Sequence, residues 1–172
     1  MMDKSDYEKA SKHWQIREDQ SVKMKRSALL LEMEKFIQSH NTCALATGFD
    51  RFVRCTPIEY SYKKNAFWLF SEGGLKFKAL SENNNVCLAI YDPYRGFGSL
   101  AGMQVTGKAE IIEMWSEEYL NMLSFKKIPS QALKRMEAQL YLIKIIPTRI
   151  DYLCSEFKKQ GFDSRQYIEF SK

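Results

Sequence analysis

The stretch from residue 71 to residue 78, S-E-G-G-L-K-F-K, places two glycines and a lysine between a predicted strand and a predicted helix. Glycines let backbone amides approach an anion closely, and amides at the start of a helix carry partial positive charge. Lys76 adds a full positive charge beside Gly73 and Gly74. The stretch therefore suits a phosphate monoester. A glycine turn with a solvated lysine would have the same letters, so the stretch alone leaves both interpretations open.

The segments that position this junction are predicted to be mainly β. Short turn-prone links separate the apolar segments T-C-A-L-A-T, F-V-R-C-T-P-I-E-Y-S-Y, A-F-W-L-F-S and V-C-L-A-I-Y, which is typical of an antiparallel meander. Pro57 predicts an edge strand or a bulge. The longer S-L-A-G-M-Q-V-T-G-K-A-E-I-I is expected to bend at its glycines. The segment L-Y-L-I-K-I-I is predicted as the last major strand, ended by Pro147.

Helices are predicted outside these strands. Ser27 is predicted to cap an amphipathic helix whose apolar side carries Leu29, Leu30, Met33, Phe36 and Ile37. Residues 76–83 can form about two helical turns. Ser116 and Ser130 are predicted to begin two further helices. Strands with helices segregated at the ends indicate an α+β fold that is mainly β and closes most easily as a small barrel.

The length of 172 residues predicts one domain, with residues 1–26 as an N-terminal extension and residues 27–172 as the folded domain. The net charge of +5 comes from 26 basic and 21 acidic residues that are interspersed, so nucleic-acid binding is not expected. No apolar run approaches the ~20 residues of a membrane span, and the first residues are too charged for a signal peptide. We expect a cytoplasmic protein.

The four cysteines contain no C-x-x-C pair, and they are Cys43, Cys55, Cys87 and Cys154. Buried free thiols are the expected state. Only His13 and His40 offer imidazole groups, and neither has a second histidine three or four residues later. A metal site is therefore not expected.

Three stretches together resemble one known family. The segment K-F-K-A-L-S-E-N-N-N-V-C-L-A-I resembles the helix and strand of the pyridoxamine 5′-phosphate oxidase-like, FMN-binding split-barrel family, in which G-S-R-K leads into a short helix and then E-N-P-R-V. L-A-T-G-F-D-R-F-V-R-C-T-P-I is similar to the family's first hairpin, and G-M-Q-V-T-G-K-A-E-I-I to its strand with V-x-G-x-A-E. The resemblance covers residues 27–150. It implies an antiparallel split β-barrel with peripheral helices, and a homodimer with FMN at the subunit interface.

The resemblance also implies which residues contact the cofactor. They are Arg54, Cys55, Thr56, Phe70, Ser71, Gly73, Gly74, Leu75, Lys76 and Gln104. Arg54 matches a strand arginine that contacts the flavin, and Cys55 and Thr56 follow it at the edge of the ring. Lys76 matches the lysine that binds the phosphate. Gln104 lies close to a family glutamine that reaches the ring.

Several positions depart from the family pattern. Leu75 stands where an arginine normally precedes the phosphate lysine, and Glu59 stands where a lysine touches the substrate of true pyridoxamine phosphate oxidases. The family's terminal W-Q and R-L-H motifs are absent from G-F-D-S-R-Q-Y-I-E-F. The vitamin B6 reaction is therefore not expected.

The function expected from the resemblance is a flavin-dependent oxidoreductase that acts on an unidentified small substrate, with NAD(P)H among the candidate donors. No side chain is assigned as a catalytic acid or base. Five aromatic residues are candidates to line the ring pocket, although core packing is the commoner role: Tyr60, Tyr62, Trp68, Tyr94 and Phe97. Two alternatives stay open. One is a non-catalytic module that binds a flavin or a related cofactor, and the other is a barrel without cofactor that serves as an interaction protein.

Overall fold

The structure, a computed structural model, describes residues 2–135 and 139–170. Its helices are α1 (Lys4–Gln20), α2 (Arg26–Ser39), α3 (Lys76–Leu80), α4 (Glu117–Phe125) and α5 (Ser130–Leu133). Its strands are β1 (Thr42–Phe49), β2 (Phe52–Glu59), β3 (Ser61–Lys63), β4 (Ala66–Ser71), β5 (Asn85–Tyr91), β6 (Ala101–Ile112), β7 (Tyr141–Cys154) and β8 (Arg165–Glu169). Short 3₁₀ helices cover Phe97–Ser99 and Ser155–Gln160.

The strands form one antiparallel sheet in the order β2-β1-β5-β6-β7-β4-β3, and β8 pairs with β7. The two ends of this order, β2 and β3, are consecutive in the chain and are separated only by Tyr60. The sheet therefore curls until its ends meet through the chain itself, and β2 also contacts β4. The predicted α+β fold, an antiparallel split β-barrel with peripheral helices, is confirmed.

The core lies on the inner face of the curled sheet. One row of paired residues crosses four strands as Leu45, Leu88, Val105 and Ile150, and all four are fully or almost fully buried. The apolar side of α2 packs into the same core. A second, smaller core lies between α4 and the outer side of β4 and β7. Both cores arise because the inner and outer side chains alternate along each strand.

The structure tests two sequence predictions about prolines in strands and adds one strand. Pro57 lies in β2, which pairs only with β1 in the described part of the chain, so the edge strand is confirmed. Pro147 does not end a strand. It lies within β7 opposite Gly107, where the register between β6 and β7 shifts, and a proline without an N–H fits an interrupted ladder. The strand β8 was not predicted.

The helix boundaries differ from the predicted ones at two places. α2 begins at Arg26 with Lys25 as its N-cap residue, so Ser27 lies inside the helix and does not cap it. α3 ends at Leu80, and Asn83 instead donates its side-chain amide to the Gly48 carbonyl at 2.7 Å. The Ser116 cap is confirmed, since its hydroxyl accepts a hydrogen bond from the Tyr119 amide at 3.2 Å.

The N-terminal segment forms α1, which begins at a capping box made by Asp3 and Asp6. Its last turn is joined to the barrel by an ion pair between Glu18 and Arg149 of 2.8 Å. Among the described residues, no helix is long and apolar enough to cross a membrane. All four cysteines are free, but the expectation that they are buried is wrong for three of them. Only Cys43 is buried, whereas Cys55 on the edge strand is exposed.

Gly107→Ala should destabilise the barrel. A Cβ at this position would lie 2.6 Å from the Ile146 carbonyl oxygen and 3.0 Å from a side-chain carbon of Ile145. Backbone atoms in the centre of a sheet cannot move aside without a large energetic penalty. The free energy of unfolding should therefore fall by about 1–3 kcal/mol. Urea unfolding followed by circular dichroism measures the change.

Gly98→Ala is the matched control, because a Cβ there would meet no atom within 4 Å. Its free energy of unfolding should change by less than about 0.5 kcal/mol. Equal stabilities of the two variants would contradict the close approach of β6 and β7 at the bulge.

Candidate functional site

The junction between β4 and α3 is a tight turn whose backbone conformation only glycine adopts without strain. Gly73 has φ +126° and Gly74 has φ +101°, values that other residues rarely adopt. The Gly73 amide donates to the Ser71 hydroxyl at 3.2 Å, and this hydroxyl donates to the Gly73 carbonyl at 3.1 Å. Ser71, a predicted cofactor contact, therefore uses its hydroxyl to hold the turn.

Lys76 folds back over this turn. Its ammonium donates to the Gly73 carbonyl, and a Cβ on Gly74 would lie 3.6 Å from Nζ. The residue is only 6% exposed, which is unusual for a lysine without an acidic partner. Burial lowers the pKa of Lys76 below its usual value, and the positive charge of Arg54 lowers it further. Keeping the Lys76 ammonium charged in this buried position therefore destabilises the folded protein.

Arg54, on a different element of the fold, brings a second positive charge near Lys76. It lies on β2 and pairs directly with Thr47 of β1, and α3 packs against both strands. Within residues 2–135 and 139–170, neither Arg54 nor Lys76 forms an ion pair with a carboxylate. Two cations that approach each other, one of them buried, leave a local excess of positive charge. An anion bound here would remove the repulsion between them.

Thr47 adds a third polar group. Its side chain is only 3% exposed, and its hydroxyl makes no hydrogen bond within the described chain. Buried hydroxyls are normally satisfied. The register places Thr47 beside Arg54 on one side and Val86 of β5 on the other. We call this group of side chains the cationic site, and its members are Lys76, Arg54 and Thr47.

The other predicted contacts on β2 and in the turn divide between two faces. Thr56 is half-buried and pairs with Leu45, so it shares the inner face with Arg54. Cys55 pairs with Ala46 and lies on the outer face. Leu75, which replaces the family's arginine, is 55% exposed. No cation stands at position 75 in place of the family's arginine. Arg54 is therefore the second cation of the site beside Lys76.

Two predicted contacts do not join the cationic site within one chain. The Phe70 ring packs against Tyr119 of α4, with ring centres 5.9 Å apart, so it faces the smaller core. Gln104 is exposed on the outer face of β6, whereas its neighbours Met103 and Val105 point into the core. It lines an outer depression of about 240 Å³ together with Tyr91. Contact between Gln104 and a cofactor bound at Lys76 stays a prediction.

The aromatic candidates also divide. Tyr60 is buried and donates its hydroxyl to the Ile37 carbonyl at 2.7 Å, and buried Trp68 donates to the Lys63 carbonyl at 2.9 Å. Tyr62 is half-buried and packs on the ring of Phe67. Core packing, the commoner role, thus accounts for Tyr60 and Trp68, whereas a place in the ring pocket stays a prediction for the other three. Tyr94 and Phe97 are exposed on the loop before β6.

Glu59, which stands where the family has a substrate-contacting lysine, forms an ion pair with Lys126 of 2.7 Å. The sequence patterns did not single out Thr47. A signal was available in the alternation of β1, because Cys43 and Leu45 point inward and a polar residue at the next inward position stands out.

The described residues contain no group of three or more His, Cys, Asp and Glu side chains that could hold a metal ion.

Comparisons with known proteins agree with this architecture. The family model described as pyridoxamine 5′-phosphate oxidase matches residues 29–154. No curated protein sequence matches the chain. Among solved structures, a FAD-binding protein from Mesorhizobium loti is 20% identical, with a TM-score of 0.57 over 70% of this chain and 89% of the other.

Two further solved structures share the fold. A protein related to general stress protein 26 from Clostridium acetobutylicum is 15% identical, with a TM-score of 0.62 over 85% of this chain and 97% of the other. HutZ, the heme storage protein from Vibrio cholerae, is 14% identical, with a TM-score of 0.57 over 67% of this chain and 87% of the other. With the family model spanning residues 29–154, these matches show that the chain belongs to the pyridoxamine 5′-phosphate oxidase-like family of split barrels.

Proposed function

We propose that the protein binds FMN as a homodimer and acts as a flavin-dependent oxidoreductase on a small substrate, in the cytoplasm. The observation that carries the proposal is the buried ammonium of Lys76. It lies beside the guanidinium of Arg54, and neither group has a carboxylate partner in the described chain. A buried charge without a partner is costly, so the site gains stability when an anion binds.

The residues present fit the phosphate of FMN. The Gly73 and Gly74 turn keeps side chains away from the ammonium, so a ligand oxygen can approach it. Lys76 and Arg54 supply charge and hydrogen-bond donors from two separate elements, which fixes the direction from which the phosphate enters. Thr56, on the inner face with Arg54, extends the surface along β2. These groups bind and orient the ligand.

Bound flavin would accept or donate a hydride, and the protein would supply position and electrostatics. The family includes flavin-binding members, and one solved structural relative is a FAD-binding protein. These relationships support a flavin and favour the oxidoreductase class. The departures at Glu59 and Leu75 favour a substrate other than that of true pyridoxamine phosphate oxidases.

The position of the site on β2 supports the homodimer. β2 is an edge strand with exposed side chains on its outer face, and Val53 is 77% exposed. Exposed apolar edges of sheets are normally covered. A second copy of the chain packed against β2 would cover this edge and enclose a ligand bound at Arg54.

A non-catalytic cofactor-binding module is the second candidate, because one structural relative is a heme storage protein. His40 does not favour heme here. Both ring nitrogens of His40 lie within hydrogen-bonding distance of protein oxygens, 2.8 Å from the Phe36 carbonyl and 2.9 Å from an Asp92 carboxylate oxygen. The cationic site instead matches the charge of a phosphate, so a flavin module is the stronger form of this alternative.

Lys76→Met should weaken FMN binding about 10- to 100-fold, because a hydrogen bond from a charged donor to the phosphate is lost. Quenching of FMN fluorescence during titration measures the dissociation constant. Methionine retains the apolar stem and removes the charge, so the ligand-free variant should unfold at no lower temperature than the wild type.

Lys35→Met is the control for this measurement. Lys35 is an exposed lysine of α2 that pairs with Glu32 on the surface, and its loss changes the net charge equally. The control should bind FMN like the wild type. Equal affinities of Lys76→Met and wild type would remove Lys76 from the binding site.

FMN affinity should fall as the pH is raised from 7 toward 10. The pKa of Lys76 in the free protein is lowered below the usual value of 10.5 by burial and by Arg54. Anion binding stabilises the charged lysine, so the affinity is highest below the lowered pKa and is lost as the lysine deprotonates. Titrations at several pH values measure the profile. The Lys76→Met variant should show no such decline, and parallel profiles for the two proteins would contradict this origin of the pH dependence.

Reduction by a donor separates the two candidate functions. Addition of NADH or NADPH to the FMN-bound protein without oxygen should bleach the visible absorption of the oxidised flavin. A flavin that stays oxidised with every donor tested would indicate a binding module. Tight binding of hemin together with no binding of FMN would overturn the flavin proposal.

A further inference from the structure

The buried hydroxyl of Thr47 is the group in the cationic site that the proposed function leaves unexplained. Threonine is a common strand residue, so its presence in β1 needs no special reason. Its burial without a hydrogen bond does need one, because a buried unsatisfied hydroxyl destabilises the folded state. The apolar neighbours on the inner face, Leu45 along β1 and Val86 across on β5, cannot satisfy it.

The two cations lie on β2 and α3, and both of these elements contact β1. Thr47 and Arg54 are directly paired, and side chains paired in this way stand about 5 Å apart at Cβ on one face of the sheet. α3 lies over β1 and β2 and brings Lys76 to the same region. The guanidinium and the ammonium have donors only. The hydroxyl can donate to a ligand as well, so the site contains three donor groups, and of these only the Lys76 ammonium has an acceptor in the described chain, the Gly73 carbonyl.

We propose that Thr47 is a further ligand-binding residue, which donates its hydroxyl hydrogen to a terminal oxygen of a phosphate monoester held by Lys76 and Arg54. The inference rests on the proposed FMN site and deepens it. A phosphate monoester offers three terminal oxygens, one to each of these donor groups.

The test compares Thr47→Val with Thr47→Ser. Valine keeps the shape and removes the hydroxyl, and serine keeps the hydroxyl. Each variant is titrated with FMN, with riboflavin, which lacks the phosphate, and with inorganic phosphate, whose binding is followed through the melting temperature. Thr106→Val is the control, because Thr106 is an exposed threonine on the outer face of β6.

Thr47→Val should bind FMN and inorganic phosphate about tenfold more weakly and should bind riboflavin as the wild type does. Thr47→Ser should recover most of the lost affinity. The melting temperature of ligand-free Thr47→Val should equal or exceed that of the wild type, because an unsatisfied polar group has been removed. Thr106→Val should bind all three ligands normally.

An unchanged FMN affinity in Thr47→Val, or an equal loss for FMN and riboflavin, would overturn the proposal, since the hydroxyl would not contact the phosphate. A wild type that binds inorganic phosphate but no flavin would refute the proposed function alone. In that case a weaker phosphate affinity of Thr47→Val would still support the role of Thr47, and an equal affinity would refute it. A wild type that binds neither flavin nor phosphate would refute both.

Discussion

The desolvation of the Lys76 ammonium is the constraint on which the site depends. A lysine that is almost fully buried and faces a guanidinium is unfavourable in an isolated domain. The protein tolerates it because the Gly73 carbonyl accepts a hydrogen bond from the ammonium and because two glycines with positive φ shape the turn around it. Such local costs cluster at binding sites, where a ligand relieves them. A flavin phosphate is the ligand that the family relationship favours.

Closure of the barrel is what brings the cations together. β2 and β4 lie far apart in the order of the sheet, yet Arg54 is on the first and Lys76 follows the second. The chain passes from β2 to β3 through the single buried residue Tyr60, whose hydroxyl is bound by the carbonyl of Ile37 in α2. This link holds the two ends of the sheet against each other. Packing in the core therefore determines the spacing of charges at the surface of the barrel.

Sequence patterns predicted the architecture better than the boundaries. Alternation of apolar residues and the family resemblance gave the antiparallel barrel, and Ser116 was recognised as a cap because its hydroxyl acts locally. Pro147 was misread, since its tolerance within β7 depends on the shift of register between β6 and β7 beside it. Ser27 was misread because the N-cap residue of α2 is Lys25, two residues earlier, and it makes no side-chain cap hydrogen bond. Local rules fail where a partner strand or a tertiary contact determines the outcome.

The candidate site was likewise predicted where local sequence determines the structure and missed where tertiary contacts determine it. The glycine turn and Lys76 were evident from eight consecutive residues, whereas the burial of Lys76 and its proximity to Arg54 required the curled sheet. Thr47 was not recognised because a threonine in a strand is ordinary until its hydroxyl proves to lack a partner. Gln104, predicted by resemblance, lies on the outer face of the sheet. A second copy of the chain is needed to bring such a residue to a ligand at Lys76.

The pKa of Lys76 in the free and the FMN-saturated protein tests the account most directly, and NMR of lysine labelled at Cε can measure it. We predict a pKa below the usual value in the free protein, as burial and Arg54 require, and a rise when FMN is bound. A pKa that is the same with and without FMN would contradict the claim that this buried ammonium binds the phosphate.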